Sequence, residues 1–250
     1  MRPRRPRPVT ARGRPAGTRP AVLVLLTGTG TDVGKTWWCA ALARTLRAAD
    51  VPVAVRKPVQ SGEPGPPTDA ELLAAASDDD ADAVTPAHRT LPVAWAPPMA
   101  ADALGLPTFT VAELLAETVW PAEVARGVGL VESVGGPRSP LAADGDTVTL
   151  AAGLQPDLVV VVADAGLGAL NAVRLAAGVL DVHPVVVALN RFGRQPLHDR
   201  NLAWLRGDGY DVVTDPAKLA ARLSAMLRRR PGATARVPDH ADDAREGRVR

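Results

Sequence analysis

Apolar residues in this chain fall into short unbroken runs, separated by longer stretches in which apolar and polar positions are mixed. Ala21–Leu26 is the first run; it leads into Thr27-Gly28 and so reads as a buried strand entering a loop. Thr36–Ala49, rich in Ala and Leu with arginine on its exposed face, predicts a helix, and Val51–Val59 a second strand. Ser61–Thr68 is rich in Gly and Pro and predicts a loop, followed by a short helix from Asp69 to Ala76. Residues 77–110 carry the acidic cluster Asp78–Asp80 and several prolines, and predict no long element. Beyond them the pattern predicts strands at Val128–Val134, Leu158–Ala163, Pro184–Asn190 and Tyr210–Val213. Helices are predicted at Val111–Thr118, Ala169–Leu180, around Asn201–Leu205 and at Pro216–Arg228. There is no internal repeat.

Strands apolar on both faces that alternate with helices imply βαβ units. The expected fold class is therefore α/β: one domain over residues 21–228 with a doubly wound, mostly parallel sheet and helices on both faces. Residues 1–20 are expected to be a disordered basic extension. Residues 229–250, where Arg, Asp, Gly and Pro follow no period, are expected to be a disordered tail.

Charge changes the picture less than it first suggests. Residues 1–20 hold seven arginines and no acid, so removing them turns a formal net charge of +2 into about −5 for the rest. The basicity belongs to the extension, which argues against a nucleic-acid-binding body. The extension has no apolar h-region of a secretory signal. No apolar run approaches the ~18 residues of a membrane span, so no membrane partner is expected. A single cysteine, Cys39, excludes an intrachain disulfide and fits a reducing cytoplasm.

The chemistry concentrates between the first strand and the first helix, in Thr27-Gly28-Thr29-Gly30-Thr31-Asp32-Val33-Gly34-Lys35-Thr36. Glycines let such a loop curl so that its N–H groups face phosphate oxygens, with the helix N-terminus adding partial positive charge. In this P-loop reading Lys35 reaches the β- and γ-phosphates and the Thr36 hydroxyl ligates Mg2+. The usual spacing places glycine at position 29, where this chain has threonine flanked by glycines. Partition-type switch ATPases typically carry a second lysine early in this loop, and the corresponding position here is Gly30. A kinase is not excluded by the loop alone.

Further segments, with the loop, resemble the dethiobiotin synthetase family. Lys57-Pro58-Val59-Gln60-Ser61-Gly62 resembles the family's Lys-Pro-Val-x-[Ser/Thr]-Gly stretch, and Thr68-Asp69-Ala70 its acidic residue opening the next helix. Glu132-Ser133-Val134-Gly135-Gly136 resembles its Glu-Gly-Ala-Gly-Gly strand end, and Leu167-Gly168-Ala169-Leu170-Asn171 its Leu-Gly-x-x-Asn turn. The resemblance runs from about Ala21 to Asn190. It implies an ATP- and Mg2+-dependent homodimer that joins 7,8-diaminopelargonic acid and CO2 into the cyclic urea of dethiobiotin, releasing ADP and phosphate.

Residue by residue, it implies Lys57 at the carbamate and Lys35 at the transferring phosphoryl group. Both suit an anion that must approach an anion. Thr36, Asp69 and Glu132 are the implied Mg2+ ligands, with an ordinary helix N-cap as the competing reading for Asp69. The implied nucleotide-binding set is Asp32, Val33, Gly34, Lys35, Thr36, Trp37, Asp69, Glu132, Gly135 and Asn190. For the Trp37 and Trp38 rings, packing outweighs nucleobase stacking, and Asn190 also reads as a turn asparagine. Thr31 and Ser61 are candidates for the amine or carbamate end of the substrate. Asn171 is the candidate for its carboxylate, across a subunit interface.

Two departures stand out. Ser133-Val134 replaces Gly-Ala, which would hinder the loop if position 133 needed a positive φ. After Asn190 the family's later nucleotide-contacting segment is represented by Asp215-Pro216 only through its position. A related amidoligase-type paralogue acting on another acid, or a partition-type switch, is the alternative function. Asp164, which ends a valine run, reads equally as a supporting acid or a solvated one. His88, His183, His198 and His240 have no metal-ligand spacing.

Overall fold

The structure, a computed structural model, describes residues 18–63, 65 and 67–230. Of the tails expected at 1–20 and 229–250, residues 1–17 and 231–250 lie outside the described residues. Six parallel strands, β1 (Val22–Gly28), β2 (Val53–Arg56), β3 (Val128–Glu132), β4 (Leu158–Asp164), β5 (Val185–Asn190) and β6 (Val212–Val213), form the main sheet. They lie in the order β6-β5-β4-β1-β3-β2. They are connected through helices α1 (Lys35–Arg47), α2 (Asp69–Ser77), α3 (Ala81–Val84), α4 (Pro97–Ala103), α5 (Val111–Glu117), α6 (Thr147–Leu154), α7 (Ala169–Gly178), α8 (Pro196–Gly207) and α9 (Pro216–Arg228). No helix among the described residues is long and apolar enough to cross a membrane.

The unbroken apolar runs are explained by burial on both faces. All seven positions of β1 are buried: Val22, Val24 and Leu26 pack toward α1 and α9, while Leu23 and Leu25 join the core beneath α5, α6 and α7. Trp38, Leu42 and Leu46, four residues apart on α1, are fully buried against the first face. Each such side chain stabilises by roughly 1.5–3 kcal/mol, and Leu42→Ala is the single change that most directly loosens the face, at about 2–5 kcal/mol.

β2 is shorter than the predicted Val51–Val59 run, because the Lys57 N–H leaves the sheet for the Val84 carbonyl (2.8 Å) and Pro58 has no N–H to donate. β3 ends at Glu132, two residues before the predicted limit. α6 is a helix the pattern did not reveal, since Thr147, Thr149 and Gly153 are indifferent helix formers. The 77–110 stretch holds α3, α4 and the short strand Thr90–Leu91, which pairs in parallel with Gln60–Ser61 outside it.

Ordered contacts reach slightly past the expected 21–228 limits. Arg19 donates to the Gln155 carbonyl at 2.7 Å, and Arg230 pairs with Asp157, whose carboxylate also accepts the Leu23 N–H at 2.8 Å. Asp157, just before β4, therefore pairs with Arg230 and, at 3.6 Å, with Arg19.

From β1 the chain winds one way to β2 and β3, then crosses to β4, β5 and β6 on the other side. Connections leaving the carboxyl ends on either side of β1 therefore diverge, and the crevice between them is where such sheets bind ligands.

Candidate active site

The loop after β1 is shaped by two close approaches. A Cβ on Gly28 would stand 2.6 Å from Val33 Cγ2, and one on Gly34 would stand 1.9 Å from Asn190 Nδ2. Gly34 also has φ of 94°, a left-handed conformation that favours glycine, and it is the residue from which α1 starts. No side chain caps α1, so its first N–H groups remain available to an anion. Lys35 folds back over the loop, its Nζ donating to the Gly30 carbonyl at 2.8 Å. Burial holds the Lys35 ammonium below the ordinary lysine range; Glu132 pulls it up and Lys57 pushes it down again.

Opposite the loop lies an ionic cluster built on the buried Lys57 and Glu132 and the half-exposed Asp69. Lys57 Nζ donates to Asp69 Oδ2 at 2.5 Å and to Glu132 Oε1 at 2.6 Å, and the same Glu132 oxygen accepts the Thr36 hydroxyl at 2.9 Å. Burial works against the Lys57 charge, but Glu132 and Asp69 together outweigh it and hold the ammonium above the ordinary value. Asp69 is held below the carboxylate range: burial raises it, and the Lys57 charge and hydrogen bond overcome that. Asp69 is not the helix cap. Thr68 caps α2, its hydroxyl accepting the Glu71 N–H while Glu71 returns to the Thr68 N–H, which leaves the Asp69 carboxylate for Lys57.

These groups line one cleft of about 650 Å3. Thr31, Asp32, Gly34, Lys35, Thr36, Lys57, Ser61, Asp69, Glu132 and Gly135 all reach it. Its far wall, Ala94–Pro97 with Val134 and Pro140, is apolar. Ser61 belongs to both walls, since its hydroxyl donates to the Trp95 carbonyl at 2.7 Å.

Five candidates stand elsewhere. Val33 and Asn190 support the loop from behind, with Asn190 Nδ2 donating to the Val33 carbonyl at 2.9 Å, so this amide is engaged by the loop. Trp37 is 54% exposed, stands edge-on to the buried Trp38 with centroids 6.0 Å apart, and lies outside the cleft lining. Asn171 is exposed on the first turn of α7, and the cleft of its own subunit does not include it. Asp215 caps α9 by accepting the Ala217 N–H, so its side chain serves the helix.

Ser133 is absent from the left-handed positions; the residue that needs one is Gly135, at φ 55°. The concern raised by the Ser133-Val134 replacement therefore does not apply to the backbone. The sequence reading also missed Arg191, Trp95 and Ser139, all on the cleft. For Arg191 a signal existed, since it directly follows Asn190.

Oxygen donors for a hard cation converge here: the Thr36 hydroxyl, Asp69, and Glu132 Oε2, which is buried without any hydrogen-bond partner. Among the described residues no cluster of three His, Cys, Asp or Glu side chains gathers at metal-binding spacing. Two carboxylates and a hydroxyl nevertheless fit Mg2+, which keeps waters and shares phosphate oxygens with its substrate.

Comparison with known proteins bears on which reaction this cleft serves. Residues 23–206 match the model of a family described as an AAA domain. An ATP-dependent dethiobiotin synthetase from Anaeromyxobacter sp. (strain K) is 37% identical over 236 residues, covering 90% of this chain and 93% of that protein. Another from Rhodococcus jostii is 40% identical over 176 residues, 70% of this chain and 74% of that protein. A solved structure of a putative plasmid partition protein from Borrelia burgdorferi, bound to AMPPNP, superposes with a TM-score of 0.48 at 11% identity, covering 84% of this chain and 99% of that one. That likeness is too loose to bear on activity.

Proposed function

This chain belongs to the ATP-dependent dethiobiotin synthetase family, and we propose that its cleft closes the ureido ring of dethiobiotin from 7,8-diaminopelargonic acid, CO2 and ATP. The observation that carries the reading is the Lys57–Asp69–Glu132 cluster, lying in the same cleft as Lys35 and Thr36.

The loop N–H groups and Lys35 bind the triphosphate. One amine of the substrate adds to CO2, losing a proton and forming a carbamate, and Lys57 supplies the positive charge that holds this anion beside the phosphates. A carbamate oxygen then attacks the γ-phosphorus; the new O–P bond replaces the bond to the β-phosphate oxygen, and ADP leaves. The second amine attacks the carbonyl carbon of this mixed anhydride, breaking its C–O bond, losing a proton and expelling phosphate. Lys35, at the mouth of the phosphate loop, follows the charge of the group in transfer. Thr31 and Ser61 orient the amine and carbamate end.

Thr36, Asp69 and Glu132 are the proposed Mg2+ ligands, and the cation, when bound, neutralises the triphosphate. The apolar wall opposite accommodates the methylene chain of the diamine. A homodimer fits the exposure of Leu167, at 94%, beside the Gly168–Asn171 turn; Asn171 and the free N–H groups there hold the substrate carboxylate of the partner's cleft. We place this reaction in the cytoplasm.

The test is purified protein with ATP, Mg2+, bicarbonate and the diamine, followed by mass spectrometry. Dethiobiotin that requires both ATP and the diamine is the expected result. ATP binding without that product would direct the search to another amine or acid.

A further inference from the structure

Arg191 is the first residue after β5, and it adopts φ of 54°, a left-handed conformation that an ordinary side chain enters only at a cost. Its guanidinium makes two contacts. Nη1 meets Asp164 Oδ2 at 2.7 Å, and Nη2 donates to the Asp32 carbonyl at 2.8 Å. Asp164 ends the neighbouring strand β4 and is itself fixed by the Gly166 N–H, which reaches its other oxygen at 2.8 Å. The Arg191 hydrogen bond, then the Gly166 one, hold Asp164 below the carboxylate range.

Successive side chains of a strand point to opposite faces, so Asn190 and Arg191 could not serve one loop if the strand simply continued. The left-handed turn at Arg191 lets both do so. Asn190 holds the Val33 carbonyl and Arg191 holds the Asp32 carbonyl. A trans peptide plane points its N–H opposite to its C=O. Drawing these two carbonyls toward the end of β5 turns the N–H groups of Val33 and Gly34 the other way, and Asp32 and Gly34 both line the cleft.

We propose that Arg191, braced by Asp164, is a positioning residue for ATP: it presents the Val33 N–H group of the phosphate loop to the nucleotide, beside the Gly34 N–H that Asn190 orients. The inference rests on the reading of that loop as the ATP site.

The test compares full-length Arg191→Gly, Arg191→Lys and Asp164→Asn with the parent protein, and uses Lys35→Ala as a control on the site itself. Glycine accepts the left-handed backbone, so Arg191→Gly removes the tether while sparing the turn. The expected result is a rise of about tenfold in the dissociation constant of a non-hydrolysable ATP analogue and in KM for ATP, the loss expected for a charge-assisted hydrogen bond. KM for the diamine and the melting temperature stay near the parent values. Arg191→Lys and Asp164→Asn fall between the two. If Lys35→Ala loses the analogue while Arg191→Gly binds it as the parent does, or only melts earlier, the positioning role is wrong. If Lys35→Ala binds the analogue unchanged, the ATP-site reading itself fails.

Discussion

Lys57 Nζ stands 2.6 Å from Glu132 Oε1, and the two side chains are 5% and 0% exposed. A buried ion pair of this kind does little for stability in itself, because desolvation offsets most of the attraction. It does hold a lysine charged, next to an unpartnered carboxylate oxygen, on the wall of the cleft.

Lys57→Ala is therefore expected to abolish dethiobiotin formation while analogue binding at the phosphate loop survives. It also leaves Glu132 buried without its cation, which should cost about 3–5 kcal/mol of stability. Product analysis, calorimetric binding and a thermal melt separate the three effects. Ring closure at the parental rate would remove Lys57 from the carbamate role.

Gly34→Ala places a methyl group 1.9 Å from Asn190 Nδ2 at a φ of 94°. The clash breaks the Asn190 bond to Val33, and the backbone strain costs of order 1–3 kcal/mol. Nucleotide affinity should fall at least about tenfold, as expected when a hydrogen bond and a loop conformation are lost together. Adding Asn190→Ala removes the clashing amide, so the double variant should melt higher than Gly34→Ala alone. A lower melt would place the damage elsewhere.

The Ser133 hydroxyl is buried and has no partner. Ser133→Ala should raise stability by about 1 kcal/mol, a shift of roughly 2–4 °C for a domain of this size, with unchanged turnover. Ser133→Gly should bring no gain in activity, because the position needs no left-handed freedom. A glycine variant that turns over faster would contradict this geometry.

Stability should also depend on pH in a defined way. Asp69 is lowered in the folded protein, so its contribution is present above its unfolded value, near 3.8, and is lost as pH falls through the lower folded value. Lys57 is raised, so its contribution is full below 10.5 and is lost as pH rises through the higher folded value. Lys35 is lowered and has the opposite sign, costing stability wherever the unfolded chain carries that charge. Urea unfolding of Lys35→Met near pH 7 should give a protein at least as stable as the parent that no longer binds ATP. A clear loss of stability would show that the Gly30 contact outweighs the buried charge.

Local pattern carried the elements that are buried on both faces. The runs at Ala21–Leu26, Leu158–Ala163 and Pro184–Asn190 match β1, β4 and β5 to within two residues at each end, because a strand with no solvent face has no polar position to mark a period. The phosphate loop was legible for a related reason: its glycines, Lys35 and Thr36 act on one ligand from adjacent places in the chain. α6 was not legible, since its helix is fixed by burial of Leu150, Ala151 and Leu154 and by the Asp146 cap, against its own weak propensity. The meeting of Lys57 with Glu132, 75 residues apart, matched an expectation of shared site membership, but the direct bond between them did not follow from either motif. Asn190 and Arg191 reach Val33 and Asp32 across 157 and 159 residues, and their shared service to the loop depends on one left-handed turn. What the chain's local chemistry determined was which residues carry charge, curl tightly or must be buried. Which of them touch was decided by the strand order β6-β5-β4-β1-β3-β2, because side chains distant in sequence meet only where the sheet brings the ends of their strands together.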